Sequence, residues 1–280
     1  MMQKFLPLLL LPFLSSCFFY ETQFEGPYHD GMPVDTAALD KTLVYVAGGN
    51  VYLADEWHYK AERIDNSGQV TIASINNAHT RVLYKRQGQN IVIYNIATAA
   101  VEREIPATES ATWFEYHSND ETVYYVLNNR YMDTYGPDVL PFRPVDLISH
   151  GGLSSPTQQL GGVAVLSDGR FLFSVGGGVS YLILSDGNQS GARRRQHFDN
   201  PVHLRLSKDE REVWGSVQSG KRVKKYRTSN LDEIITSLSY ALGTPARGER
   251  GYYVTANNEI YLSSGDLIPG PGGRITAIDY

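Results

Sequence analysis

Cys17 is the one thiol in the 280-residue chain, and its surroundings limit what it can do. A lone cysteine has no partner for a disulfide or a redox pair. Before it run Met1-Met2-Gln3-Lys4, an apolar stretch from Phe5 to Leu14, and Ser15-Ser16-Cys17. This is a short charged start, an apolar core and small residues at a processing point. The apolar run to Tyr20 contains Pro7 and Pro12 and falls short of the roughly 20 residues that span a bilayer as a helix. A plain secretory peptide would need no cysteine at that position.

The other reactive groups give weaker signals. His29, His58, His79, His117, His150, His197 and His203 show neither His-x-x-x-His nor a Cys/His cluster, so the spacing supports no zinc site. His79 and His117 fall at what read as equivalent turns and are expected to bond locally. No Gly-x-Ser-x-Gly elbow occurs, and Gly215-Ser216-Val217 reads as part of a hairpin rather than a nucleophile. Gly176-Gly177-Gly178 precedes a strand, so no helix end follows to hold a phosphate. Asn188-Gln189-Ser190 matches a glycosylation sequon, a short match that is given no weight. No catalytic, metal or cofactor residues are assigned.

Charge is the asymmetric feature. Between Arg193 and Arg227 there are eleven basic residues and four acids, an excess of seven in a chain whose total is -5. Arg193, Arg194, Arg195, Lys221, Arg222, Lys224, Lys225 and Arg227 are the candidate docking patch for an anionic surface. The competing reading is a solvated blade edge, where charge guards against strand pairing between molecules.

These groups must be positioned by strands. Nineteen tyrosines, 26 glycines and 13 prolines favour strands joined by turns. A strand, tight turn and strand recur about every 40 residues. The copies run Thr42–Leu53, Val82–Tyr94, Val123–Tyr131, Phe171–Ile183, Val213–Tyr226 and Tyr252–Leu262. Gly and Asn at the turns supply positive φ. A preceding strand repeats at Val70–Ile75, Ala111–Tyr116, Gly162–Leu166, Val202–Leu206 and Leu238–Leu242. An outer strand follows in several copies, as at Val101–Ile105 and Glu233–Leu238. Ser118-Asn119-Asp120-Glu121, Ser167-Asp168-Gly169-Arg170 and Ser207-Lys208-Asp209-Glu210 read as equivalent turns, with Asn76-Asn77-Ala78-His79 a looser version. The first copy lacks a preceding strand, and Ile275–Ile278 fits either blade six or completion of blade one. Residues 132–160 read as a long loop on one face.

Four short antiparallel strands repeated six times predict an all-β, six-bladed β-propeller of four-stranded antiparallel blades. The expected organisation is a signal peptide at 1–16, a flexible tether at 17–35 that opens on Cys17, and the propeller at 36–280.

Two resemblances add to this reading. Leu14-Ser15-Ser16-Cys17 resembles the lipobox of bacterial lipoproteins, which implies cleavage before Cys17 and lipidation of its sulfur and new amino end. The Ser-x-Asp-Gly/Glu turn before an apolar strand resembles the WD40-like repeat of TolB-type propellers, six-bladed domains of the bacterial cell envelope. Together they imply a membrane-anchored binding or scaffold module in the envelope, reaching the membrane through its lipid. Phe18, rather than Asp, after the cysteine favours the outer membrane if the cell has two. The expected partner is an envelope protein or an anionic cell-wall polymer, not nucleic acid. One alternative is a propeller enzyme (lactonase, lyase or glycan hydrolase) at the channel mouth; six-bladed lactonases hold calcium there. Another is a polysaccharide-binding module using Trp57, Trp113 or Trp214, although each lies in or beside a strand.

Overall fold

The computed structural model describes residues 41–280 apart from short stretches at 56–59, 138–139, 141–143, 153–158, 177–179, 187–191, 198–200, 218–221, 239, 246–250, 256, 263–266 and 269–272. Residues 1–40, with Cys17, and Trp57 lie outside the described residues.

Blade one begins with β1 (Lys41–Ala47), β2 (Asn50–Asp55) and β3 (Lys60–Asp65). Blade two is β4 (Val70–Ile75), β5 (Arg81–Arg86), β6 (Ile91–Asn95) and β7 (Ala100–Ile105). Blade three is β8 (Ala111–Tyr116), β9 (Val123–Leu127), β10 (Tyr131–Tyr135) and β11 (Val145–Asp146), followed by the one-turn helix α1 (Leu147–His150). Blade four is β12 (Gln159–Val165), β13 (Phe171–Gly176), β14 (Ser180–Ser185) and β15 (Ala192–His197). Blade five is β16 (Pro201–Leu206), β17 (Glu212–Val217), β18 (Arg222–Arg227) and β19 (Glu233–Leu238). Blade six is β20 (Leu242–Pro245), β21 (Gly251–Val254), β22 (Ile260–Leu262) and β23 (Leu267–Ile268).

The last strand, β24 (Ile275–Asp279), settles how the ring closes. It lies antiparallel to β1, with Tyr45 opposite Ile278, and becomes the inner strand of blade one. The first repeat has no preceding strand of its own because the C-terminus supplies it. The inner strands then pack in a closed circle, β24 on β4, β4 on β8, β8 on β12, β12 on β16, β16 on β20 and β20 on β24.

Three expectations need correcting. The inner strand of blade six is Leu242–Pro245, not Leu238–Leu242; Leu238 instead pairs with Val223 at the outer edge of blade five. One apolar run holds the end of one strand and the start of the next, so its pattern hides the break. Residues 132–160 are not one long loop, because they carry most of β10, the two-residue edge strand β11, helix α1 and the start of β12. Asp146 caps that helix by accepting from the Ser149 amide.

The third correction concerns the turns. The residue with positive φ is His79, Asp120, Gly169 and Glu210 in blades two to five. Each donates its amide to the carbonyl three residues earlier, at 2.8–2.9 Å. Glu210 therefore matches Asp120, one place away from the Ser-based alignment. His117 is equivalent to Asn76, not to His79. The register follows hydrogen bonding rather than the serine.

That position also joins neighbouring blades. The Asp120 carboxylate accepts from the amides of Asn77 and Ala78 on blade two, at 2.6 and 2.9 Å. Glu210 accepts from the amide and hydroxyl of Ser167 on blade four, at 2.8 and 2.9 Å. Gly169 has no side chain to do the same, and there His117 Nε2 lies 3.2 Å from the Leu166 carbonyl.

Between the blades lies an apolar core rich in Val, Leu, Ile, Phe and Tyr. Close approach of β12 to β16 needs glycine. A Cβ on Gly161 would fall 2.6 Å from the Pro201 carbonyl oxygen, and one on Gly162 would fall 2.8 Å from the Leu204 nitrogen. Trp113 and Trp214 are buried core residues, Trp214 stacking on Tyr253 at 5.5 Å.

Candidate functional site: the central channel

Inner strands line the channel of a propeller, so their registers decide what faces it. The fifth residues of β4, β8, β16 and β24 are Ser74, Glu115, Arg205 and Asp279. The folded ring brings these four to one level and links them. Arg205 Nη1 donates to Glu115 Oε2 at 3.0 Å. Its Nε lies 3.1 Å from Asp279 Oδ1, near enough for an ion pair although the N–H is not aimed at the oxygen. Asp279 Oδ2 accepts from Ser74 Oγ at 2.8 Å and from the Ile75 amide at 3.0 Å. Tyr124 donates to Glu115 at 2.8 Å, and the guanidinium rests 4.8 Å from the centre of the Trp113 ring.

Four blades thus meet through one buried cation. Burial works against the Arg205 charge, yet Asp279 and Glu115 hold its pKa above the usual value. Two carboxylates share that cation. Burial pushes the Glu115 carboxyl up to about 7, and Asp279 adds to the rise against the opposing pull of Arg205. Tyr124 is held protonated by burial and by Glu115.

The two ends of the channel differ. Where the inner strands finish there is a cavity of about 60 Å³, bordered by Glu115, Tyr124 and Lys208. Where they begin there is an open mouth of about 700 Å³. Its wall takes Thr71 from β4, His203 from β16, Ser216 from β17, Leu242 from β20 and Thr276 from β24. Arg274, ahead of β24, and Asn258, in the β21–β22 turn, complete its rim.

His203 reaches the wall through a bulge. The register of β16 against β17 shifts between Val202 and Arg205, and His203 sits there with φ of 52°. Other inner strands also bulge, but among the described non-glycine residues the remaining positive φ values lie in turns and loops. Bulges re-aim side chains, and strain of this kind concentrates at functional positions. Burial and the nearby Arg205 lower the His203 pKa to about 4, so the ring is neutral at pH 7. Its Nδ1 and the Ser216 hydroxyl are buried without a hydrogen-bond partner.

The candidate docking residues differ in exposure. Arg193, Arg194 and Arg195 are exposed along the edge strand β15. Arg193 donates to the Ser229 carbonyl, Arg194 donates to the Gly152 carbonyl, and Arg195 pairs with Asp232. Arg222 and Arg227 are exposed at the two ends of β18. Between them Lys224 and Lys225 are buried, Lys224 bonded to Glu233 at 3.1 Å and Lys225 lying 3.8 Å from the Trp214 ring centre. Lys221 lies outside the described residues.

With this geometry in view, the likeness to known structures is one of shape. The chain superposes on a chain of a nidogen/laminin complex with a TM-score of 0.61, covering 85% of this chain and 97% of that one at 10% identity. It is also similar to the β-propeller domain of Cps50 (Swd1) from Myceliophteria thermophila, with a TM-score of 0.53, 85% and 89% coverage and 16% identity. The chain is a six-bladed β-propeller. No family model matches the sequence, and comparison with curated proteins finds no match. At these identities the likeness carries the fold alone, and what the propeller does rests on its own residues.

Sequence reading missed the channel groups. Glu115, Arg205 and Asp279 stand 90 and 74 residues apart in the chain. Only a register for every inner strand would have shown them sharing a level. Among the described residues no group of three or more His, Cys, Asp or Glu is placed to hold a metal ion.

Proposed function

We propose that this protein is a recognition module of the bacterial cell envelope, held at a membrane by lipid on Cys17. In this reading the propeller offers the wide mouth of its channel to a partner. The observation that carries the proposal is the one-sidedness of the channel. A mouth of about 700 Å³ opens at one end, and a layer of ion-paired side chains from four blades crosses the channel beyond it. Such an arrangement suits holding a ligand at a rigid rim. A glycan hydrolase working through a carboxylate pair would need two free carboxylates there, whereas Glu115 and Asp279 are engaged by Arg205.

The lipobox-like sequence supports the anchor, and Phe18 after the cysteine supports the outer membrane in a cell with two membranes. The partner that best suits this setting is an envelope protein or an anionic wall polymer. Replacing Cys17 by Ser tests the anchor. The variant is expected to leave the membrane fraction while melting at the same temperature as the parent. Unchanged membrane association of Cys17→Ser would overturn the anchored reading.

A further inference from the structure

We infer that the wide mouth binds a small hydroxylated carboxylate of the sugar-acid class, gripped by Arg274, Asn258, Ser216 and His203; this rests on the recognition reading above and names its ligand. The size is suitable, since pockets for small ligands run from about 300 to 1,000 Å³, and this one is about 700 Å³.

Its charge is also selective. Arg274 is the one charged residue in the described lining, and it is exposed. Among the described residues no carboxylate pairs with it. A planar guanidinium favours a carboxylate, which it can hold with two parallel hydrogen bonds. A phosphate or polyphosphate, with its charge concentrated on one group, would need more than this one cation, and a cationic ligand would be repelled.

The uncharged groups call for hydroxyls. Asn258 Oδ1 accepts from the Ile275 amide at 3.1 Å, which fixes the side chain and leaves its NH₂ to donate. Ser216 Oγ and His203 Nδ1 are buried without a partner, a costly state that a ligand hydroxyl relieves. Ser216 is 2% exposed and belongs to the wall rather than the open rim. His203 is neutral at pH 7. It therefore offers one donor and one acceptor, which suits a hydroxyl better than a second anionic group. Val202 and Leu242 provide apolar wall beside these groups, as the C–H face of a sugar ring requires.

The test is calorimetric titration of the full chain in detergent micelles with D-glucuronate, D-glucose and trigalacturonate. Glucuronate is expected to saturate one site, and glucose to bind at least about tenfold more weakly for want of the charged contact. Arg274→Gln is expected to bring glucuronate down to the level of glucose with no change in melting temperature. Ser216→Ala is expected to weaken both sugars together. Trigalacturonate binding tighter than glucuronate would support a polymer end as the source, and weaker binding would support a free sugar acid. No saturable glucuronate binding, or binding unaltered in Arg274→Gln, would overturn the inference. If every sugar failed while a residue in the mouth still crosslinked to an envelope component, the ligand class would fall and the recognition reading would stand. If both failed, both would fall.

Discussion

Removing the Arg205 cation is expected to be among the most damaging single changes in the channel. The side chain is 3% exposed and faces Glu115 at 3.0 Å and Asp279 at 3.1 Å. At a charge-centre separation of about 4 Å and an effective dielectric near 20, each pair is worth about 4 kcal/mol before desolvation. Desolvation of the guanidinium offsets much of that, but truncation leaves the carboxylates buried without it. Losses of about 3–5 kcal/mol are the usual result. Arg205→Met keeps the aliphatic bulk and deletes the charge, so packing changes little. Urea unfolding at pH 8 is expected to show the full loss. At pH 5.5 the loss should shrink, because a carboxyl already near 7 in the parent takes up a proton more readily once the cation is gone. The triple variant Arg205→Met, Glu115→Gln, Asp279→Asn is expected to regain most of the stability, since it leaves no unpaired charge. A loss under about 1 kcal/mol at pH 8, or one that does not vary with pH, would refute the view of Arg205 as the shared counter-ion.

Two further perturbations separate the channel from the turns. Glu115 has a raised folded pKa, so its contribution is fully present below about 4.5 and is lost as pH rises through about 7. His203 runs the other way, its contribution present above about 6.5 and lost as pH falls towards 4. Comparing Glu115→Gln with the parent isolates the first group: the variant's relative melting temperature should climb between pH 5 and pH 8. A flat difference would show that Glu115 does not titrate in that window. At the blade interface, Glu210→Ala removes two hydrogen bonds to Ser167. About 1–2 kcal/mol should be lost in chemical denaturation, and a neutral result would mean that the turn acid does not hold blades four and five together.

How far the sequence can be read follows from where each signal resides. The hairpins were legible because tight turns demand Gly or Asn at positive φ, as at Gly48, Gly49, Asn128 and Asn129. Blade six was blurred because its inner strand starts only a few residues after β19 ends. Ring closure was half legible: Ile275–Ile278 fitted either blade six or completion of blade one, and only the pairing of β24 with β1, at opposite ends of the described chain, decides between them. A charge count alone does not show which stretches of a strand are covered on both faces. Lys224 and Lys225 fall in the run of β18 that is buried, with Arg222 and Arg227 exposed at its ends. Ser216 was set aside as a hairpin residue, correctly as to its strand. Nothing in Gly215-Ser216-Val217 told that its hydroxyl would lie unpaired at a channel mouth.

The central claim is that the propeller recognises an envelope component through its open mouth. Site-specific photo-crosslinking in living cells tests it most directly, with p-benzoylphenylalanine placed at Thr71 in the mouth or at Val101 on the outer strand of blade two, which is 53% exposed. The account predicts a discrete crosslinked product from Thr71, absent from Val101 and reduced in Arg274→Gln. Equal products from both positions, or none from Thr71, would contradict it.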